Sequence, residues 1–241
     1  MGMSGEANAR LSKAGVKFLG DLARHNDREW FNERKAVYEN EVKAPMLAVI
    51  AAVNERMLGF APDYVRDPAK TMFRIYRDTR FSRDKKPYKD HAGAWWAARG
   101  LEKTSGGGFY FHVSGTEVFV AAGVYMPQPE QLLAIRRHLL ERYVDYRRLS
   151  SGPELAGAGL TAMEPASTTR VPKGFPPEHP AMDLVKQKQW GLSVRLPVET
   201  ALSAEFVDEL AQRFRLGAGL VGLLNEPLLG GGSGAGDRSI W

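Results

Sequence analysis

An α+β fold, a single domain with an antiparallel or mixed sheet and flanking helices, is what this sequence predicts. Three observations carry the prediction. Apolar residues recur at helical spacing through the first sixty positions, strand-like alternation takes over at Met72, and helical spacing returns from Pro129. Helices, then a run of strands, then helices argue against a doubly wound sheet, in which the two alternate. The chain has 241 residues, 44% hydrophobic and 25% charged, which supports a packed core and excludes wholesale disorder, collagen and coiled coil. No repeat with a period of 20–50 residues is present, so solenoids and propellers fall away. Residues 1–15 are expected to form a disordered N-terminal segment, 16–229 the domain, and 230–241 a flexible glycine-rich tail.

From Val16 the apolar positions Phe18, Leu19 and Leu22 predict a short helix ended by His25-Asn26. Asn26-Asp27 then reads as an N-cap with Glu29 at the third helical position, a capping box. The helix it opens carries Trp30, Phe31, Val37 and Tyr38. Pro45 removes a backbone donor, so a kink or a fresh start is expected there, before Met46, Val49, Ile50, Val53 and Met57 line a core-facing stripe. Met72 to Tyr76 alternates and reads as a strand, as do His91–Ala98 and Phe109–Val113, separated by a flexible Gly106-Gly107-Gly108. Gly115-Thr116 has the two-residue spacing of a tight hairpin between Phe109–Ser114 and Glu117–Val124. Leu132, Ile135, Leu139 and Tyr143 mark a helix from Pro129 to about Leu149. Leu192–Leu196 offers one more strand, and a last helix runs from the N-cap Ser203 through Val207, Leu210 and Phe214. If Trp95-Trp96 is extended, its indoles take opposite faces, and at least one belongs to the core.

The absence of cysteine excludes a disulfide framework, a thiol nucleophile and a thiolate metal site. The first residues lack the apolar core of a signal peptide, and the longest apolar stretch, Met46–Val53, is far short of the ~20 residues of a membrane helix. A soluble cytoplasmic protein without a membrane partner is expected.

Net charge is +5, and it is local. Arg74 to His91 holds seven basic and three acidic residues, a net +4, which leaves +1 for the other 223 residues. If the strand continues through Phe81, then Arg74, Tyr76, Asp78 and Arg80 share one side, and Phe73, Ile75, Arg77, Thr79 and Phe81 the other. Guanidinium grips carboxylate or phosphate bidentately, so this density of arginines suits planar anion recognition. The plainer reading stands beside it: Arg77, Asp78 and Arg80, or Arg83 and Asp84, pair with each other on a solvated surface.

Four stretches carry a family resemblance: NDREWF at Asn26–Phe31, RIYRDTRFSRDKKPYK at Arg74–Lys89, GVYMP at Gly123–Pro127, and PKGF at Pro172–Phe175 with His179-Pro180. On these the chain resembles the conserved family named domain of unknown function 2461, over about Val16 to Leu224. The resemblance carries over no activity, cofactor or catalytic residue.

Motifs for familiar chemistry are missing. No HExxH, GxxxxGK[ST] or GxSxG is present, and no GxGxxG opens a helix after a strand. His91 and His112 could meet in space as general acid and base, or hold a metal with Asp84 or Asp90, though separate structural roles are the commoner outcome for such histidines. PKGFPPEHP, at Pro172–Pro180, reads as a rigid connector.

The leading expectation is a pocket for a phosphate- or carboxylate-bearing small molecule. Arg74 and Arg80 form its clamp, Lys85 and Lys89 supply charge, and Tyr76, Tyr88 and His112 orient or stack. Nucleic-acid binding is the second reading, and a phosphoester hydrolase using the same pocket, with His91, His112 or Asp84 as base, is the third. The residues identify no catalytic group and no cofactor, and predict no metal site.

Overall fold

Residues 9–80, 82–101, 106–164 and 166–229 are described by the computed structural model of the chain. Phe81, the tail 230–241 and residues 1–8 of the expected disordered segment lie outside the described residues. The fold is α+β, with helices flanking an antiparallel sheet.

Helix α1 (Lys13–Arg24) opens where Ser12 Oγ accepts the Gly15 N–H at 3.0 Å. Residues 9–15 therefore depart from the expected disorder. Leu11 is buried and donates its N–H to Ala201 O at 2.9 Å, so the capping serine and one buried leucine fix the approach to the helix. Helix α2 (Arg28–Glu33) is capped by Asp27, whose carboxylate accepts the Trp30 N–H at 2.9 Å. The capping box expected from Asn26 and Glu29 is absent, because the cap lies one residue later. After the single turn α3 (Lys35–Val37) the helix widens to π geometry over Tyr38–Lys43, then restarts as α4 (Ala44–Met57). Pro45 explains the fresh start: it has no N–H to return, and the Ala44 N–H reaches back five residues to Glu39 O. The bulge also sets a close contact. A Cβ on Gly15 would lie 2.2 Å from Glu41 O, so only glycine lets α1 lie against the widened turn.

Helix α5 (Pro68–Thr71) leads into the sheet, whose strands are β1 (His91–Ala97), β2 (Gly108–Ser114) and β3 (Glu117–Val124). Helices α6 (Pro129–Leu149) and α7 (Pro153–Gly157), the short strand β4 (Thr161–Ala162), α8 (Met182–Val185), strand β5 (Trp190–Pro197) and α9 (Phe206–Leu229) complete the chain. The strand order is β1-β2-β3-β5-β4. The final helix starts at Phe206 rather than at Ser203. Ser203 Oγ instead accepts the Glu205 N–H at 3.2 Å in the turn that precedes it. Among the described residues no helix is long and apolar enough to cross a membrane.

Two compact units divide the residues. The first takes residues up to Trp96, Phe109–Ala121 and Val194–Arg215. Its core contains Trp96, packed at 5.9 Å on Phe111 and 5.4 Å on Phe214, with the indole N–H donating to Asn54 Oδ1 at 2.8 Å. Both indoles of the Trp95-Trp96 pair are buried. The second unit takes Ala97–Gly108, Ala122–Ser193 and the residues from Leu216 onward. There Gly106–Gly108, expected to be a flexible connection, is buried. The Asn225 side chain holds both backbone groups of Gly107, accepting its N–H at 2.6 Å and donating to its carbonyl at 2.9 Å. A satisfied amide pair pins what composition alone marks as loose.

Candidate functional site

The basic segment of the first unit is a bridged pair of arms rather than a continuous strand. Met72 bridges to Ala94 and Tyr76 to Tyr88, both antiparallel. The Phe73 N–H donates to Gly93 O at 2.9 Å, the Arg77 N–H to Pro87 O at 2.9 Å, and the Lys89 N–H to Ile75 O at 2.8 Å. Among the described residues no bridge continues beyond Arg77, and Asp78 feels the charge of both Arg80 and Arg74. Pro87 has no N–H to extend the ladder. Beyond it, aspartate side chains curl the chain: Asp78 Oδ1 accepts the Arg80 N–H at 3.2 Å, and Asp84 Oδ1 accepts the Lys86 N–H at 3.0 Å.

Helix α2 fixes these arms in place. Asn26, displaced from the capping role by Asp27, donates its amide to Tyr88 O at 3.1 Å and accepts the Tyr88 N–H at 3.0 Å. Phe31, buried, stacks on Tyr88 with centroids 4.1 Å apart. Tyr76 lies 5.4 Å from Tyr88 and 6.1 Å from Phe31, its side half open to water. Trp30 turns the other way, toward His25 at 5.9 Å and Phe18 at 5.4 Å, with the Arg34 guanidinium 4.7 Å above it. Within Asn26–Phe31, then, one residue clamps, one caps, and one buries an aromatic floor.

Between α2 and the arms lies a cleft of about 310 Å³ lined by Arg28, Asn32, Tyr76, Arg77, Thr79, Pro87 and Tyr88. Its donors are two guanidiniums, an amide, a hydroxyl and phenols, and among the described residues no carboxylate lines it. Arg77 is steadied from outside by Asp84 at 2.6 Å. That pairing, with the Lys86 backbone bond, holds the Asp84 carboxyl below the usual carboxylate range.

Of the seven residues expected to form one pocket, Tyr76 and Tyr88 line this cleft. Arg74 and Arg80, the expected clamp, are outside its lining. Arg80 grips Asp78 bidentately, at 3.0 Å through Nε and 2.7 Å through Nη2, and that hydrogen bonding lowers the Asp78 carboxyl to about 2. Arg74 is exposed and outside the lining. Lys85 Nζ donates to Thr79 O at 3.0 Å, and Lys89 Nζ to Arg74 O at 2.6 Å, so both lysines brace the arms. His112 belongs to a different cluster. Arg28, Asn32, Arg77 and Thr79 went unforeseen as site residues. Arg28 stands inside NDREWF, but nothing local in sequence says that this stretch meets residues 76–88.

The second cluster lies on the half-buried side of β1, β2 and β3. The rings of His91 and His112 are 4.5 Å apart. His91 Nδ1 is 2.9 Å from Asp90 Oδ1, and His112 Nδ1 is 3.0 Å from the Tyr110 hydroxyl. Glu117 Oε1 is 3.8 Å from His112 Nε2, and Glu117 also pairs with Arg195, whose guanidinium sits 5.0 Å over Phe119. Burial first, then the positive fields of His91 and Arg195, lowers His112 to about 3, so its imidazole is neutral. For Asp90, burial is the largest influence and opposes ionisation, but the His91 hydrogen bond, the backbone bond at Asp90 and the charges of His91 and His112 together outweigh it, leaving the carboxyl below its ordinary value. Among the described residues no group of three or more histidine and carboxylate side chains is arranged to hold a metal ion.

Comparison with known proteins places these arrangements in a family. No curated protein matches the chain. The family model described as conserved hypothetical protein, DUF2461, matches residues 14–222, a span that contains both clusters and every element from α1 into α9. The chain belongs to that family.

Proposed function

We propose that this protein binds a small molecule bearing a phosphate or carboxylate group in the cleft between α2 and the bridged arms. The observation that carries the reading is the lining itself: Arg28 and Arg77 line the cleft with Asn32 and Thr79, and among the described residues the one carboxylate paired with either arginine by an ion pair, Asp84, holds Arg77 from outside the lining. Guanidinium is always charged and presents paired donors, which suits it to anionic oxygens. Tyr76, half exposed and backed by Tyr88 and Phe31, supplies a platform for a flat part of the ligand. The roles expected for Arg74 and Arg80 pass to Arg28 and Arg77.

A thermal-shift panel of inorganic phosphate, phenyl phosphate, benzoate and acetate tests the assignment. Ligand that binds the folded state raises the midpoint as its concentration exceeds Kd. At least one aryl anion is expected to raise it, with the shift lost in Arg28→Ala and Arg77→Ala and kept in Arg74→Ala and Arg80→Ala. Shifts that vanish only in the second pair of variants would return the site to the outer arginines and overturn this reading.

A further inference from the structure

Besides the cleft, the imidazole pair has the parts of a reaction site. We propose that His91 and His112 abstract a proton from the carbon beside the carbonyl of a small carboxylate-bearing substrate, a 2-oxo acid in class, with His91 as base and His112 as hydrogen-bond donor to the carbonyl oxygen.

The rings lie 4.5 Å apart, and among the described residues each is hydrogen-bonded through Nδ1. Asp90 accepts the His91 Nδ1–H at 2.9 Å, which fixes the tautomer and leaves the lone pair on Nε2. With the Tyr110 hydroxyl, 3.0 Å from His112 Nδ1, taken as the donor to that nitrogen, the ring proton of His112 lies on Nε2. The nearest carboxylate to that nitrogen, Glu117, is 3.8 Å away, beyond hydrogen-bond reach, and is engaged by Arg195. One proton acceptor and one proton donor therefore stand side by side on neighbouring strands. The charged groups that face the pair are Asp90, Glu117 and Arg195. The backbone makes room for it. A Cβ on Gly93 would lie 3.1 Å from the Tyr110 hydroxyl and 3.2 Å from His112 Cβ, so β1 forgoes a side chain where β2 seats these two groups.

Neutral imidazole beside a separate base polarises a carbonyl without surrendering a proton, and a depressed histidine suits that role. Burial first, and the field of Arg195, keep His112 uncharged and supply this condition. Arg195, two-thirds exposed and stacked over Phe119, which in turn stacks on His112 at 5.4 Å, can take the substrate carboxylate on the edges that Glu117 leaves open. In the step, the C–H bond breaks and its proton passes to His91 Nε2. The electron pair forms the carbon–carbon double bond of an enolate, whose oxygen accepts the His112 Nε2–H hydrogen bond. Return of the proton from His91 to carbon restores the keto form, so no other reactant is consumed. Hydrolysis fits less well, since it requires an acid for a leaving group and His112 is uncharged.

Deuterium uptake at the pyruvate methyl group, followed by proton NMR with the full chain in D2O near neutrality, tests the proposal. The protein is expected to exceed an equal concentration of free imidazole. His91→Gln, at a partly exposed position, is expected to lower the protein-dependent rate about 100-fold, and Arg195→Ala to raise KM more than it lowers kcat. Exchange no faster than free imidazole on pyruvate, 2-oxobutyrate and 2-oxoglutarate alike would overturn it, as would a folded His91→Gln that exchanges at the wild-type rate.

Discussion

Asn26 and Tyr88, sixty-two positions apart, are joined as two strands are joined, the side-chain amide of one closing both backbone hydrogen bonds of the other. Tyr88 is buried at this point, and Phe31 covers its ring at 4.1 Å. The pairing holds one wall of the cleft, which Tyr88 lines together with Pro87 and Tyr76.

Asn26→Ala leaves one donor and one acceptor without partners, and each such group costs about 1–3 kcal/mol. A loss of about 2–4 kcal/mol in urea-unfolding stability is expected. Asn26→Asp, which keeps the acceptor and loses the donor, is expected to fall between. A change below about 0.5 kcal/mol for Asn26→Ala would mean that water replaces the amide at no cost.

Gly15 is the second structural test. An added methyl group meets Glu41 O at 2.2 Å, and the oxygen belongs to the backbone of the π turn. Overpacking of this kind costs about 1–3 kcal/mol. Gly15→Ala is expected to lose that much by thermal or urea unfolding, while alanine at Gly59, whose nearest neighbour is 3.7 Å away, is expected to change little.

Arg80 and Asp78 make the opposite case. Their hydrogen bonds are geometrically good, but the arginine side chain is 77% exposed. Solvent screens a pair this exposed. Arg80→Ala is expected to let the Asp78 carboxyl return from about 2 toward 3.8. Carbon-detected NMR titration of that carboxyl reads the change directly.

His112 predicts a specific acid sensitivity. Its folded pKa is about 3, against 6.5 for an ordinary histidine. Between those values the unfolded chain holds the proton and the folded protein does not, so stability rises with pH across this window and is lost as pH falls below about 6.5. The slope from one group is at most about 1.4 kcal/mol per pH unit. Asp90 and Asp84, both lowered, add a loss of the same sign at more acidic pH. Unfolding stability is expected to drop by about 1–2 kcal/mol from pH 6.5 to 5.0, and the drop to disappear in His112→Gln.

Local periodicity carries the fold class and the hairpin at Gly115-Thr116, because apolar spacing directly reports which face of an element is buried. It also locates the restart at Pro45, where a missing donor has a local consequence. It fails where a side chain substitutes for backbone. Asn26 reads as a cap because caps and bridges use the same amide, and only the position of Asp27 decides between them. Gly107 reads as flexible because Asn225, which pins it, lies 118 residues away. Met72 to Tyr76 reads as a strand that could run on through Phe81, because alternation cannot register Pro87 on the facing arm or the aspartate turns at Asp78 and Asp84. The tyrosines of the site were legible as aromatic neighbours of charge. The arginines that line it were not, since Arg28 reaches the cleft from another helix.

Calorimetric titration with phenyl phosphate tests the central claim most directly, its phosphate for Arg28 and Arg77 and its ring for Tyr76. One equivalent is expected to bind the wild-type protein, and Arg28→Ala/Arg77→Ala to bind at least about tenfold more weakly, the loss of one charge-assisted hydrogen bond of about 1.5–3 kcal/mol being enough to account for it. Equal affinity in the wild-type protein and the double variant would contradict the assignment of the cleft.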